Sequence, residues 1–151
     1  MGFVHANGTR LERNGNPVLL RGFALGGWLL PEGYMWKLPS PCDRPRRMEA
    51  LITRLCGPGY AQTFWQRYLD RYITEGDIAW IAGEGFNCVR LPINARHLSD
   101  GQAWPYIDAC VQWGKQHDVF VMLDMHGAPG GQTGQNIDDC ERDQPELFQN
   151  P

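Results

Sequence analysis

The sequence contains no Cys-x-x-Cys pair, no apolar run long enough to span a membrane and no excess of basic residues. Its five cysteines are widely spaced, so a zinc site is not expected. No other cofactor is expected either. A net charge of −3 gives no electrostatic basis for binding nucleic acid. Without a long apolar run, a membrane-spanning helix is not expected.

Two further observations concern the start of the chain and its basic residues. No signal peptide precedes the hairpin-like start, so a cytoplasmic protein and a secreted one whose signal was removed both remain open. The only basic cluster is Arg44, Arg46 and Arg47, which is most simply a solvated face.

The first twenty residues have the pattern of a β-hairpin. The pairs Asn7–Gly8 and Asn14–Gly15 favour tight turns, because both residue types tolerate positive φ. Short strands are predicted near residues 3–5, 10–12 and 18–20.

After a proline-rich segment, the sequence predicts helices and strands in alternation. Helices are expected at 48–55 and 60–73, and after a capping box at Thr74 and Asp77. Apolar strands at 87–91 and 119–125 flank a helix at about 104–116. Alternation of this kind predicts parallel βαβ units, and the apolar strands indicate burial on both faces.

Polar residues stand at the carboxyl ends of the two apolar strands. Arg90 could hold a carboxylate by paired hydrogen bonds, or could form a structural ion pair with Asp124. His126 follows the strand and precedes a glycine-rich loop, so it could bind a substrate hydroxyl or transfer a proton. Asp124 and His126 also leave open a metal site, although no second pair of ligands accompanies them.

Several loop residues could bind a sugar. Gln132, Gln135 and Asn136 in the glycine-rich loop could hydrogen-bond to hydroxyl groups. Trp28, Tyr34 and Trp36 follow the first strand, where they could stack on pyranose rings or pack the loop onto the sheet. The sequence does not separate these two roles for the aromatic residues.

Four blocks of sequence together resemble glycoside hydrolase family 5, which includes cellulases and β-1,3-glucanases. The blocks are residues 14–22, 25–28, 85–94 and 123–130, and they occur in the order found in the family. The resemblance implies a (β/α)₈ TIM barrel, of which residues 1–151 would form the N-terminal part. That part would contain about three βα units and the hairpin cap, and would stop before strand four.

The resemblance also implies roles for individual residues. Arg90 would orient the nucleophilic carboxylate, and His126 would line the central sugar subsite. Asn94, Trp28, Trp36 and Gln132 would bind substrate or support the active site. The partner would be a β-glucan or a related oligosaccharide, cleaved with retention of configuration.

The expected catalytic pair is absent from this sequence. Retaining glycosidases use two carboxyl groups about 5–5.5 Å apart. None of the seven glutamates follows an Asn or closes an apolar strand. We therefore expect the chain alone to be inactive, marginally stable and able to self-associate. A non-catalytic glycan-binding or scaffold protein and a metal-dependent barrel hydrolase using Asp124 and His126 remain alternatives.

Overall fold

The computed structural model describes residues 2–135 and 138–149. Strands and helices follow one another in chain order: β1 His5–Asn7, β2 Arg10–Arg13, β3 Asn16–Pro17, β4 Gly22–Ala24, α1 Pro45–Cys56, α2 Pro58–Tyr72, α3 Glu75–Gly83, β5 Cys88–Asn94, α4 Ala95–Ser99, α5 Trp104–Gln116 and β6 Phe120–Gly127. No helix among these residues has both the length and the apolar character needed to cross a bilayer.

The larger sheet is parallel, with the strand order β4-β5-β6. Strand β5 lies in the centre, and its Arg90 pairs with Ala24 of β4 and Met122 of β6. The predicted βαβ pattern is therefore confirmed. The predicted helix at 104–116 also forms with those bounds, because Ile107, Cys110 and Gly114 are its buried residues.

The smaller sheet is antiparallel and contains β1, β2 and β3. Asn14 and Gly15 both have positive φ, so the predicted tight turn forms there. At the first pair, Asn7 belongs to β1 and only Gly8 has positive φ, so the turn starts one residue later than predicted. The predicted strand at 18–20 is wrong, because the third strand is Asn16–Pro17.

The small sheet lies at the amino end of β6. Arg13 forms an ion pair of 3.0 Å with Asp118, two residues before β6 begins. Its guanidinium also lies 5.2 Å from the ring centre of Phe120, the first residue of β6. The hairpin thus covers the end of the parallel sheet opposite to the carboxyl ends, as predicted.

The hydrophobic core lies between the parallel sheet and the helices α3 and α5. It includes Val89 and Leu91 from β5, Ile78 from α3 and Ile107 from α5. Helix α3 begins at the predicted capping box, where the Asp77 carboxylate accepts hydrogen bonds of 2.8 Å from the Thr74 amide and hydroxyl. Because α3 starts at a fixed residue, its apolar face meets β5 in a defined register.

The basic cluster is not the solvated face that the sequence suggests. Arg44 is only 2% exposed and lies 2.7 Å from Asp143. Arg47 binds the same carboxylate, and Arg46 approaches Asp139. The arginines at the start of α1 and the acidic residues within 138–143 are distant in sequence but neutralise each other's charges. Their ion pairs attach residues 138–143 to the start of α1.

Candidate active site

Arg90 and His126 lie together at the carboxyl side of the parallel sheet. The Arg90 Nη2 atom is 2.9 Å from His126 Nδ1 and 2.5 Å from Asp124 Oδ2. The His126 Nδ1 atom is 3.1 Å from the same Asp124 oxygen. The two residues that the sequence predicts for the site are thus in contact, and Asp124 joins them.

The geometry of this triangle limits the states of His126. Nδ1 can accept a hydrogen bond from Arg90 or, when it carries a proton, donate one to Asp124, but it cannot do both. The buried Asp124 Oδ2 lacks a well-aligned donor, although Arg90 is close, so their attraction is mainly electrostatic.

Glu32 is a fourth member of this group, which the sequence does not predict. Leu29 forms an isolated parallel bridge with Ile93, so the β4–β5 pairing resumes after the end of β4. Glu32 therefore lies just past the carboxyl end of the first parallel strand and is buried. No strand among the described residues ends at a glutamate, and Glu32 comes near the Arg90 site through a bridge to Ile93, a residue distant in sequence.

The surroundings of Glu32 change the pKa of its carboxyl group. Burial raises the pKa of Glu32 above its ordinary value, and the charges of His126 and Arg90 and a hydrogen bond from Tyr34 only partly offset this effect. The Tyr34 hydroxyl donates to Glu32 Oε2 over 3.4 Å. The negative charge of Glu32 in turn raises the pKa of Tyr34. A buried carboxyl group beside an Arg–His pair is typical of functional sites.

The glycine-rich loop after β6 is attached by hydrogen bonds to its own backbone. Gln132 Nε2 donates to the His126 carbonyl over 2.6 Å, and Gln132 Oε1 accepts from the Ala128 amide over 3.0 Å. Both polar groups of Gln132 thus fix the loop beside His126, which favours the supporting alternative over direct sugar binding. Asn136, predicted for the same role, lies outside the described residues.

Two further predicted site residues belong to the interior. Trp28 is 0% exposed, and its indole nitrogen donates to the Leu69 carbonyl over 2.8 Å. Asn94 is buried, donating to Asp139 and accepting from the Arg96 amide as the N-cap of α4. Neither side chain can reach a ligand at the Arg90 site, so the structure assigns both to packing and support.

Trp36 packs the long loop onto α2. Its ring stacks on Trp65 at a centroid distance of 5.7 Å and lies 5.3 Å from the ring of Tyr68. The structure therefore favours the packing alternative for Trp36. Tyr34 remains exposed beside Glu32, so it is the loop aromatic residue that is close to the candidate site.

The described residues contain no group of three or more His, Cys, Asp or Glu side chains that could hold a metal ion. Asp124 and His126 instead share the Arg90 guanidinium as their cationic partner. A metal ion at this pair would compete with the arginine for the same oxygen. The metal-dependent alternative is therefore disfavoured by the geometry.

Comparison with known protein families shows to which family the chain is related. The family described as Cellulase (glycosyl hydrolase family 5) matches residues 55–149, a range that includes β5, β6 and the loop after them. The chain belongs to glycosyl hydrolase family 5. Arg90, Asp124 and His126 all lie within the matched range, whereas Glu32 precedes it.

Relatives within family 5 are considerably longer than this chain. It is 30% identical over 142 residues to a beta-xylosidase of Phanerodontia chrysosporium, covering 88% of this chain and 29% of that protein. It is 36% identical over 125 residues to a probable glucan 1,3-beta-glucosidase A of Emericella nidulans, covering 76% of this chain and 30% of that protein. The chain therefore spans about a third of the length of these relatives.

The fold is also found in a solved structure. A rutinosidase from Aspergillus niger superposes with a TM-score of 0.63 at 22% identity, over 80% of this chain and 36% of that chain. At this identity the likeness shows the fold alone. The family 5 chain is thus part of a (β/α)₈ barrel, in which β4, β5 and β6 are parallel barrel strands.

Proposed function

We propose that residues 1–151 form the N-terminal part of a retaining glycosidase that hydrolyses β-glucosidic bonds in a β-1,3- or β-1,4-glucan. The observation that carries this proposal is the meeting of Glu32, Arg90, Asp124 and His126 at the carboxyl side of the parallel sheet in a family 5 chain. Barrel enzymes build their active sites at that side of the sheet.

The four side chains offer complementary hydrogen-bonding groups to a sugar. Arg90 is partly exposed, so its other guanidinium donors are available to an oxygen atom of a substrate or to a further carboxylate. Glu32, whose pKa burial raises, can donate a proton in a hydrogen bond when neutral and accept one when ionised. His126 adds a ring nitrogen that can donate or accept a hydrogen bond, depending on its tautomer.

The same geometry supports the inactivity of the isolated chain. Asp124 is held by Arg90 and His126, and the buried Glu32 lies near the same two side chains. We assign both carboxyl groups to substrate binding and positioning rather than to the catalytic pair. The nucleophile and the acid/base would then come from further strands of the barrel, as two carboxyl groups flanking the bond require.

The test is to read the gene beyond codon 151, express the whole reading frame and measure hydrolysis of laminarin and of soluble cellulose derivatives. In that protein, Arg90→Lys is expected to lower kcat/KM about 100-fold, because lysine cannot reproduce the paired hydrogen bonds of arginine. Arg21→Lys, an exposed arginine before β4, is the matched control and should change kcat/KM less than about twofold. Equal activity of both variants would contradict the proposed role of Arg90.

A non-catalytic glycan-binding protein is the second candidate. Its basis is the contact among Arg90, Asp124 and His126, which could bind a sugar without cleaving it. The two functions differ in a direct way, because the enzyme turns over β-glucan whereas the binding protein retains it unchanged. A whole reading frame that binds laminarin without releasing reducing ends would favour the second candidate.

A further inference from the structure

His126 differs from His97 in the kind of group that its ring meets. The Nδ1 atom of His97 lies 3.4 Å from an oxygen of Asp100. An ionised carboxylate only accepts hydrogen bonds, so the nitrogen that faces Asp100 must donate. The Nδ1 atom of His126 instead forms a hydrogen bond of 2.9 Å with the guanidinium of Arg90. The two rings therefore need their protons on different atoms.

The chemistry of arginine fixes the direction of the bond between Arg90 and His126. A guanidinium has five N–H donors and no acceptor. The Nδ1 atom of His126 must therefore accept this hydrogen bond, which it can do only without a proton. In a neutral imidazole ring the single proton is then on Nε2.

Asp124 offers the opposite arrangement, but its carboxylate is poorly aligned for it. Its Oδ2 atom is 3.1 Å from His126 Nδ1, a distance at which a protonated Nδ1 could donate. Among the described residues, however, no hydrogen-bond donor is aligned with this buried oxygen. It lies 2.5 Å from Arg90 Nη2, so its negative charge attracts the guanidinium. Asp124 therefore acts on His126 through Arg90.

The Nε2 atom of His126 is the side of the ring that these contacts leave open. Within the part of the chain that the structure describes, the hydrogen bond of this ring is made by Nδ1. The side chain is partly exposed beside the glycine-rich loop. A proton on Nε2 makes this nitrogen a donor, and the hydroxyl oxygens of a sugar are suitable acceptors.

We propose that Asp124 is a positioning residue that holds the Arg90 guanidinium against Nδ1 of His126, and that this contact keeps the proton of the neutral ring on Nε2. His126 then presents an N–H donor to a bound glycan, and its Nε2 atom does not act as a proton acceptor. The role toward a glycan rests on the proposed function. The position of the proton does not, because it can be measured in the protein without sugar.

The direct test is ¹⁵N NMR of the histidine rings in the protein of the whole reading frame. The spectrum is recorded without sugar at pH ~8, above the ~6.5 pKa of an ordinary histidine. Ring nitrogens with and without a proton give well-separated signals, and His126 is identified by the signals lost in His126→Asn. We expect a proton on its Nε2 and none on its Nδ1, with His97 as the reference for the opposite tautomer. A proton on Nδ1 of His126 would overturn the proposal.

Two variants test the separate parts of Arg90 and Asp124. In Arg90→Met the proton should move to Nδ1, because Asp124 then remains as the partner beside that atom. In Asp124→Ala the released guanidinium should leave Nδ1 in part of the molecules, so signals of both tautomers should appear. A folded Asp124→Ala protein that keeps the single Nε2–H tautomer would contradict the positioning role.

Asp118 provides the matched control for the loss of an aspartate–arginine pair. It pairs with Arg13 over 3.0 Å at the amino end of the same strand, far from the carboxyl side of the sheet. Asp118→Asn removes this charge, and asparagine tolerates the positive φ at this position. This variant should leave the tautomer of His126 unchanged. A change equal to that in Asp124→Ala would show that any loss of an ion pair shifts the proton.

Kinetics of the whole protein test the consequence for a glycan. Asp124→Ala should lower kcat/KM for laminarin about tenfold, because the donor at Nε2 is missing in part of the molecules, whereas Asp118→Asn should change it less than about twofold. Unchanged kcat/KM in Asp124→Ala would contradict the positioning role. A parent protein without hydrolytic activity would contradict the proposed function instead, and the NMR result would stand.

Discussion

Strands β5 and β6 have similar apolar sequences but very different surroundings. In β5 every residue except Arg90 is buried, whereas Met122, Leu123 and Met125 of β6 are about half exposed. The expectation that both strands are covered on both faces is therefore wrong for β6. The difference is one of position: β5 has neighbours on both sides, but β6 is the edge of the described sheet.

Different kinds of contact fix strand β5 and the loop that follows β6. β5 is fixed by the core side chains of α3 and α5. The loop after β6 is fixed by polar contacts, with Asp138 accepting from the amides of Thr133, Gly134 and Cys140. The structure thus depends on apolar packing at the centre of the sheet and on buried charge beside its edge. These two kinds of stabilisation respond differently to mutation and to pH.

The largest expected effect is at the centre. Leu91→Ala should lower the free energy of unfolding by about 2–5 kcal/mol, because the 0% exposed side chain leaves a cavity. Leu123→Ala in β6, where the side chain is 55% exposed, should cost less than about 1 kcal/mol. Urea denaturation followed by circular dichroism measures both. Equal losses of unfolding free energy in the two variants would contradict the difference in burial between the strands.

The second effect is at the loop after β6. Burial alone would raise the pKa of Asp138, but hydrogen bonds from Thr133 and Cys140 outweigh it and lower the pKa to about 2. A lowered pKa means that this carboxylate stabilises the fold above pH ~4, and that the stabilisation is lost as the pH falls through ~2. Over that range the chain should lose about 2 kcal/mol of stability from this group.

The variant Asp138→Asn isolates this group. It should cost about 1–3 kcal/mol at pH 7, because the buried donors lose a charged acceptor, and it should show a weaker loss of stability in acid. Asp108→Asn on the exposed side of α5 is the matched control and should be neutral within about 0.5 kcal/mol. A variant as acid-sensitive as the parent chain would contradict the role of Asp138.

The third effect is on the helix that covers β5. Thr74→Ala removes the hydroxyl of the capping box and should cost about 1 kcal/mol. Thr63→Ala in α2, whose hydroxyl bonds only to the Gly59 carbonyl of its own helix, is the control and should cost less than about 0.5 kcal/mol. Thermal denaturation at neutral pH gives both values. A neutral Thr74→Ala would show that the start of α3 does not support the core.

The change with the smallest expected effect on stability should clearly affect self-association of the chain. An edge strand with exposed apolar side chains is a template for pairing with another chain, so we expect self-association of the isolated chain. Leu123→Lys should reduce it while changing stability by less than about 0.5 kcal/mol. Leu55→Lys, a change of an exposed leucine on α1, is the control. Sedimentation velocity over a concentration series measures the association. If the parent chain and both variants were monomeric, this account would be contradicted.

Local patterns in the sequence predict much of the fold. The helical spacing of Ile107, Val111 and Gly114 and the capping box at Thr74 depend on residues close in sequence, and both features form as expected. Strand alternation and parallel pairing place Arg90 and His126 on one face of the sheet. The prediction that Arg90 ends its strand is wrong, because β5 continues to Asn94 and Arg90 pairs with Met122, so the long arginine side chain extends along the sheet to reach His126.

The errors arise where distant segments decide the environment. For Trp28 the sequence leaves two roles open, and the contact of its loop with α2 decides for packing by burying the ring. Arg44 looks solvated until Asp143 and Cys140 reach it from the other end of the chain. Glu32 was missed because its position depends on the bridge between Leu29 and Ile93. A usable signal was the apolar run 29–31 ending in an acidic residue, the same kind of signal that identified Asp124.

The most direct test of the account is a comparison of β-glucan hydrolysis by the isolated 151-residue chain and by the protein of its whole reading frame. The account predicts release of reducing sugar from laminarin or soluble cellulose derivatives by the whole protein, and none by the chain alone. Turnover by the purified chain would contradict the assignment of the catalytic pair to other strands. No turnover by the whole protein would contradict the glycosidase proposal.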